Sequence, residues 1–125
     1  MRSPFQYAIV RVVPRVERGE CLNVGVVLFA RTLEYLGMRV ALDRERLRAI
    51  SPDTDPGPVD DQLAGRLRIA TGDPGAGPIA AMEVHQRFHW LVAPSSTVVQ
   101  PSAVHTGLCD DPAQTLDRLF DTLVA

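Results

Sequence analysis

Two apolar, β-rich runs separated by one short polar segment constrain this chain more than anything else in it. Residues 5–13 are dominated by aromatic and β-branched side chains, Pro14 stops them, and residues 21–30 follow with no charge and a single amide, Asn23. Each run has the length and composition of a strand, and the polar segment 15–20, with Gly19, suits a hairpin connection between them. Alternation puts Tyr7, Ile9, Arg11 and Val13 on one face of the first strand and Ala8, Val10 and Val12 on the other. In the second, Leu22, Val24, Val26 and Leu28 share a face, and Cys21, Asn23, Gly25, Val27 and Phe29 share the opposite one. A third strand over 35–41, after the turn at 31–34, completes an antiparallel meander.

Helical periodicity replaces the alternation beyond residue 42. Asp43 is placed to cap a short helix carrying Leu47 and Ile50, which Pro52 ends. Pro58 stands at the first helical position of a second helix with Val59, Leu63 and Leu67 at four-residue intervals and Gly72 as its stop. Residues 79–92 space Ala81, Val84, Phe88 and Leu91 as a third helix. The stretches 97–100 and 104–108, split by Pro101, read as edge strands or one bent strand. Asp110 or Asp111 then caps a final helix in which Leu116, Leu119, Phe120 and Leu123 form one apolar stripe. The order predicts an α+β fold: a small antiparallel sheet, made of a three-strand N-terminal meander plus short C-terminal strands, with helices packed on one face, in one domain spanning 1–125.

Composition removes several function classes. With 13 basic against 15 acidic residues and a net charge of −2, the chain lacks the basic excess of a nucleic-acid or anionic-membrane binder. Arg44, Arg46 and Arg48 alternate with acids as on a solvated helix face. The uncharged run 21–30 is half the roughly 20 apolar residues a membrane span needs, and the start lacks the pattern of a secretory signal. The two cysteines, Cys21 and Cys109, fit reduced thiols, so a cytoplasmic setting is expected. His85 and His89, and His105 and Cys109, are each four apart, but no recognised ligand spacing surrounds them. Neither a metal nor a cofactor is expected.

The unusual chemistry lies inside apolar strands. A guanidinium at Arg11 is costly to bury unless a carboxylate or a ligand anion meets it, and Glu20, at the start of the next strand, is the nearest candidate by hairpin logic. Asn23 and Gly25 share a face by alternation, and the missing side chain at Gly25 would let a backbone or a ligand come close. Gln100 and His105 fall in or beside connections, where binding groups concentrate. His105 has the pKa range of a general base, yet no nucleophile elbow, phosphate loop or acidic cluster accompanies it. Arg11 with Glu20 as a structural cross-strand pair, and His105 as a hydrogen-bonded structural residue, are the competing explanations.

The string Tyr7-Ala8-Ile9-Val10-Arg11-Val12-Val13-Pro14, with Glu17-Arg18-Gly19-Glu20 and Asn23-Val24-Gly25-Val26-Val27-Leu28-Phe29, resembles the opening of a family of small bacterial proteins, domain of unknown function 3037. A second block continues the resemblance in the same order: Arg87-Phe88, Trp90-Leu91, Ala93-Pro94, Ser96-Thr97, Gln100 and His105-Thr106-Gly107-Leu108. It implies a cytoplasmic bacterial domain without an established activity, whose genes tend to lie beside those of HipA-like kinases. An interaction or accessory module with a HipA-like kinase as partner is therefore the leading expectation. The alternative is a small-molecule binder or small enzyme built on Arg11, Glu20, Asn23 and His105. Association with a second copy is left open. The two expectations differ geometrically, because a binder gathers its polar groups into one concave pocket and an interaction module spreads them over a surface.

Overall fold

The computed structural model describes residues 2–125. Five strands and four helices follow one another as β1 (Ser3–Val12), β2 (Leu22–Ala30), β3 (Tyr35–Val40), α1 (Arg44–Ile50), α2 (Pro56–Thr71), α3 (Val84–Leu91), β4 (Val99–Pro101), β5 (His105–Cys109) and α4 (Pro112–Leu123). The sheet is antiparallel in the order β3-β2-β1, and β4 and β5 share the far edge of β1. β4 pairs with Val10–Val12 and β5 with Ser3–Tyr7. Ser102 bridges the gap between them, its N–H donating to the Ile9 carbonyl and its hydroxyl accepting from the Ile9 N–H at 2.8 Å. The two C-terminal pieces are thus one bent edge strand interrupted after Pro101, as the proline implies.

The α+β class holds, but the helices occupy both faces of the sheet and not one. On one face Ala8, Val10, Val12, Val27, Phe29 and Met38 pack against Leu47 of α1, Val59 and Leu63 of α2, and Phe88 and Leu91 of α3. On the other, Phe5, Val26, Leu28, Ala30 and Cys109 pack against Leu116, Phe120 and Val124 at the α4 end of the chain. The reason is legible in β2: both of its alternating sets are apolar, and residues 24–30 are all buried. A strand apolar on both sides needs a layer on each.

β1 and β2 also carry a bulge. Val10 faces Gly25 but Arg11 faces Asn23, so Val24 is an extra residue in the ladder. Strict alternation fails there. Asn23 turns to the α4 face, where its Nδ2 donates to the Leu123 carbonyl at 3.1 Å. Gly25 turns to the opposite face, where a Cβ would come within 2.7 Å of the Arg39 carbonyl and 2.9 Å of Val40 Cγ1. The expectation that the two share a face is therefore wrong, and the space at Gly25 is filled by β3.

The remaining differences are at boundaries. α2 begins at Pro56, two residues early, because Asp55 accepts from the Gly57 N–H. The helix expected over 79–92 is split: a turn at Ile79–Ala81 gives way to extended backbone at Met82 and Glu83, and Glu83 with Gln86 forms a capping box that restarts the chain as α3.

Candidate functional site

The bulge and the bent edge strand together line up polar groups on the α4 face of the sheet. Across three neighbouring strands, Asn23 of β2, Arg11 of β1 and Gln100 of β4 stand in one row. α4 lies over β2 and β3, so the Arg11 end of β1 is only half-covered. Arg11 is half-buried, its Nε is desolvated, and that nitrogen has no hydrogen-bond partner. The flanking amides do not supply one, since Asn23 donates to Leu123 and Gln100 Nε2 donates to the Thr97 carbonyl at 2.7 Å.

The structure overturns the Arg11–Glu20 pair. Glu20 lies before the first residue of β2 and outside the ladder, and it forms an ion pair with Arg18 at 2.6 Å. The 3-10 turn at Val16–Arg18, closed by Gly19 in the left-handed region, swings Arg18 onto it. Among the described residues no acid forms an ion pair with Arg11.

His105 belongs to the same face but to its other end. It faces Tyr7 across the β1–β5 ladder, with the two rings 5.2 Å apart. Tyr7 and Arg11 are four residues apart on an extended strand, so His105 and the Arg11 row are separated by about 13 Å. Ile9 lies between them, 9% exposed and a member of neither core cluster. That spacing exceeds the reach of one small ligand's reacting atoms and suits an extended surface. Of the other candidates, Asn23 borders a shallow cavity with Leu42, Arg46 and Phe120, and Glu20 borders a different one with Pro14 and Ser51. Arg11, Glu20, Asn23 and His105 are not gathered into one pocket.

The metal candidates separate similarly. His105 and Cys109 lie on a strand, where four residues again span about 13 Å, and Cys109 is buried against α4. The rings of His85 and His89 meet edge to face at 6.3 Å. Among the described residues no group of three or more His, Cys, Asp or Glu is placed to hold a metal ion.

Two features in and around the second sequence block prove structural. Arg66 of α2 donates to the Leu91 and Val99 carbonyls at 3.2 and 3.4 Å, and Arg87 of α3 donates to the Ile69 carbonyl at 3.3 Å. Each helix therefore places an arginine on the last-turn carbonyls of the other. Burial pushes the Arg66 guanidinium below its ordinary value. Ser95 accepts from the Thr97 N–H at 3.2 Å, as expected of a turn after Pro94. Two groups not anticipated from sequence also stand out: Tyr7, its ring tilted against that of His105, and Trp90, 40% exposed with Arg66 over its ring. Half of the signal for Tyr7 was present in its alternation with Arg11, whereas Trp90 reads as one more helical apolar position until its partners are placed.

A five-stranded antiparallel sheet sandwiched between three helices and a fourth, with a polar row at its open edge, defines the class of the protein. The chain belongs to the family described as protein of unknown function DUF3037, whose model matches residues 7–124. No curated protein and no solved structure matches it. No helix among the described residues is long and apolar enough to cross a membrane.

Proposed function

We propose that this chain is an interaction module that docks a protein partner on the strip of sheet running from Tyr7 and His105 to Arg11 and Gln100. Arg11 carries the proposal: its Nε is desolvated, unpartnered and flanked by two amides already engaged with backbone carbonyls. Arg87 Nε is equally desolvated and unpartnered, but Arg87 Nη1 donates to the Ile69 carbonyl, whereas the Arg11 side chain makes no hydrogen bond among the described residues and leaves its two Nη groups for a carboxylate from outside. Arg and Tyr are also the side chains that most often anchor interfaces. Spreading of the polar groups over about 13 Å favours a partner surface over a small substrate.

The choice of a HipA-like kinase as partner, and of a bacterial cytoplasm as setting, rests on the family resemblance alone. The test is co-purification with a HipA-like kinase from the same genome, followed by titration of the two purified proteins. Arg11→Ala and His105→Ala are expected to weaken the complex at least about tenfold without loss of folding, which corresponds to about 1.4 kcal/mol or more. Glu20→Ala, off the strip, should leave it unchanged. No complex at micromolar concentration, or binding indifferent to Arg11, would overturn the proposal.

A further inference from the structure

On the opposite side of the molecule, α2, α3 and the 74–76 turn border an open groove of about 530 Å³, apart from the strip proposed for the partner. That volume lies within the range of small-ligand sites. Its lining includes Trp90, Gly65, Arg66, Arg68, Ile69 and Ala76. The indole forms an apolar wall that the fold leaves 40% exposed, and the Arg66 guanidinium sits 5.8 Å from the ring centre.

Gly65 is the informative residue. It lies well inside a 16-residue α-helix, where glycine is among the poorest helix formers. Its backbone has no left-handed angle, and a Cβ built on it would meet nothing within 4 Å. Neither conformation nor crowding therefore requires glycine. Its missing side chain widens the groove whose lining it shares with Trp90.

The charges are one-sided. Two arginines line the groove and no acid does. Arg68 is neutralised by Asp73 at 2.9 Å, but Arg66 faces only backbone carbonyls and the indole. The cation thus stands over one part of the indole, on a groove lining that is open at Gly65.

We infer that this groove binds a small planar ring bearing an anionic group, the ring against Trp90 and over Gly65, the anion toward Arg66. Trp90 is the single tryptophan of the chain, so its emission and its indole N–H resonance report on this groove alone. Two ring anions, adenosine 5′-monophosphate and nicotinate, serve as probes, with adenosine and inorganic phosphate as arms that separate stacking from charge. At least one ring anion is expected to shift both Trp90 signals saturably, with a dissociation constant below about 1 mM. Adenosine should bind at least about fivefold more weakly than its monophosphate if that is the probe that binds, and phosphate alone should leave the emission unchanged. Gly65→Leu, which narrows the groove, should weaken binding at least about tenfold while the melting temperature stays equal or rises, because leucine is the better helix former. Gly65→Ala should give a smaller loss. Absence of a saturable shift with both ring anions overturns the site, as does binding that Gly65→Leu leaves unaltered; equal affinity for adenosine and its monophosphate overturns the anionic half.

Discussion

Arg11 shows how a residue can be legible in a sequence while its partner is not. An arginine in the middle of an apolar strand announces an anion, and hairpin logic chose Glu20 because that logic assumes a regular ladder. The turn at Val16–Arg18 gave Glu20 to Arg18 instead, and the bulge at Val24 put Asn23 beside Arg11. A buried donor without a partner costs about 1–3 kcal/mol, and a half-buried one sits at the low end. Arg11→Met keeps the stem and removes the donor, so chemical denaturation should show stability unchanged or raised by about 1 kcal/mol, although partner binding falls. A comparable loss of stability would mean that the guanidinium holds the fold together. Cys109 gives a second test at this scale. Burial first, and then the neighbouring Asp110, push its thiol above the ordinary 9.0. A folded pKa above the unfolded one contributes stability that is complete below the unfolded value and is lost as pH rises through the folded one. Denaturation midpoints should therefore decline above about pH 9, and Cys109→Ala should lessen the decline. At neutral pH a thiol reagent should label exposed Cys21 rapidly and reach Cys109 only on unfolding.

Among the elements, the β2–β3 connection stores visible strain. Glu34 closes the 3-10 turn at Arg31–Leu33 with φ of 50°, a left-handed conformation in which its Cβ crowds the following carbonyl oxygen. Relief of about 1–2 kcal/mol in the folded state is partly offset by the greater freedom that glycine gives the unfolded chain. Glu34→Gly should thus stabilise by about 0.5 kcal/mol, read from the thermal midpoint; a loss would show that the Glu34 side chain makes a compensating contact. In α4, the apolar stripe was legible as a stripe but not as a depth. Leu116 and Phe120 are buried, whereas Leu119 and Leu123 only flank them. Leu116→Ala should cost about 2–5 kcal/mol and Leu119→Ala about half as much. Equal costs would place Leu119 in the core. The strands, the caps at Asp43 and Asp111 and the stop at Gly72 were readable because each rests on local chemistry. The break at Met82 was not, because the periodicity of Ala81, Val84 and Phe88 runs straight through it.

For the whole molecule, the two-sided covering of the sheet decides where a surface is left for function. Three helices seal the face carrying Ala8, Val10 and Val12, and α4 covers β2, β3 and the Phe5 end of β1 on the other, so what stays half-exposed on β1 is Tyr7 and Arg11, on either side of buried Ile9 and beside exposed His105 on the bent edge strand. Alternation alone could supply the members of that strip but not the second layer that bounds it, because which helix crosses to which face is a long-range matter. β5 presents unpaired backbone on its outer edge together with Leu108 at 59% exposure, and such edges are available to a partner. Amide hydrogen exchange of the chain, free and mixed with the HipA-like kinase proposed as its partner, tests this placement most directly. Added protection is expected at β1 and along residues 99–109, with α2 and α3 unchanged. Protection confined to α2 and α3, or none at a concentration where the two proteins co-purify, would contradict it.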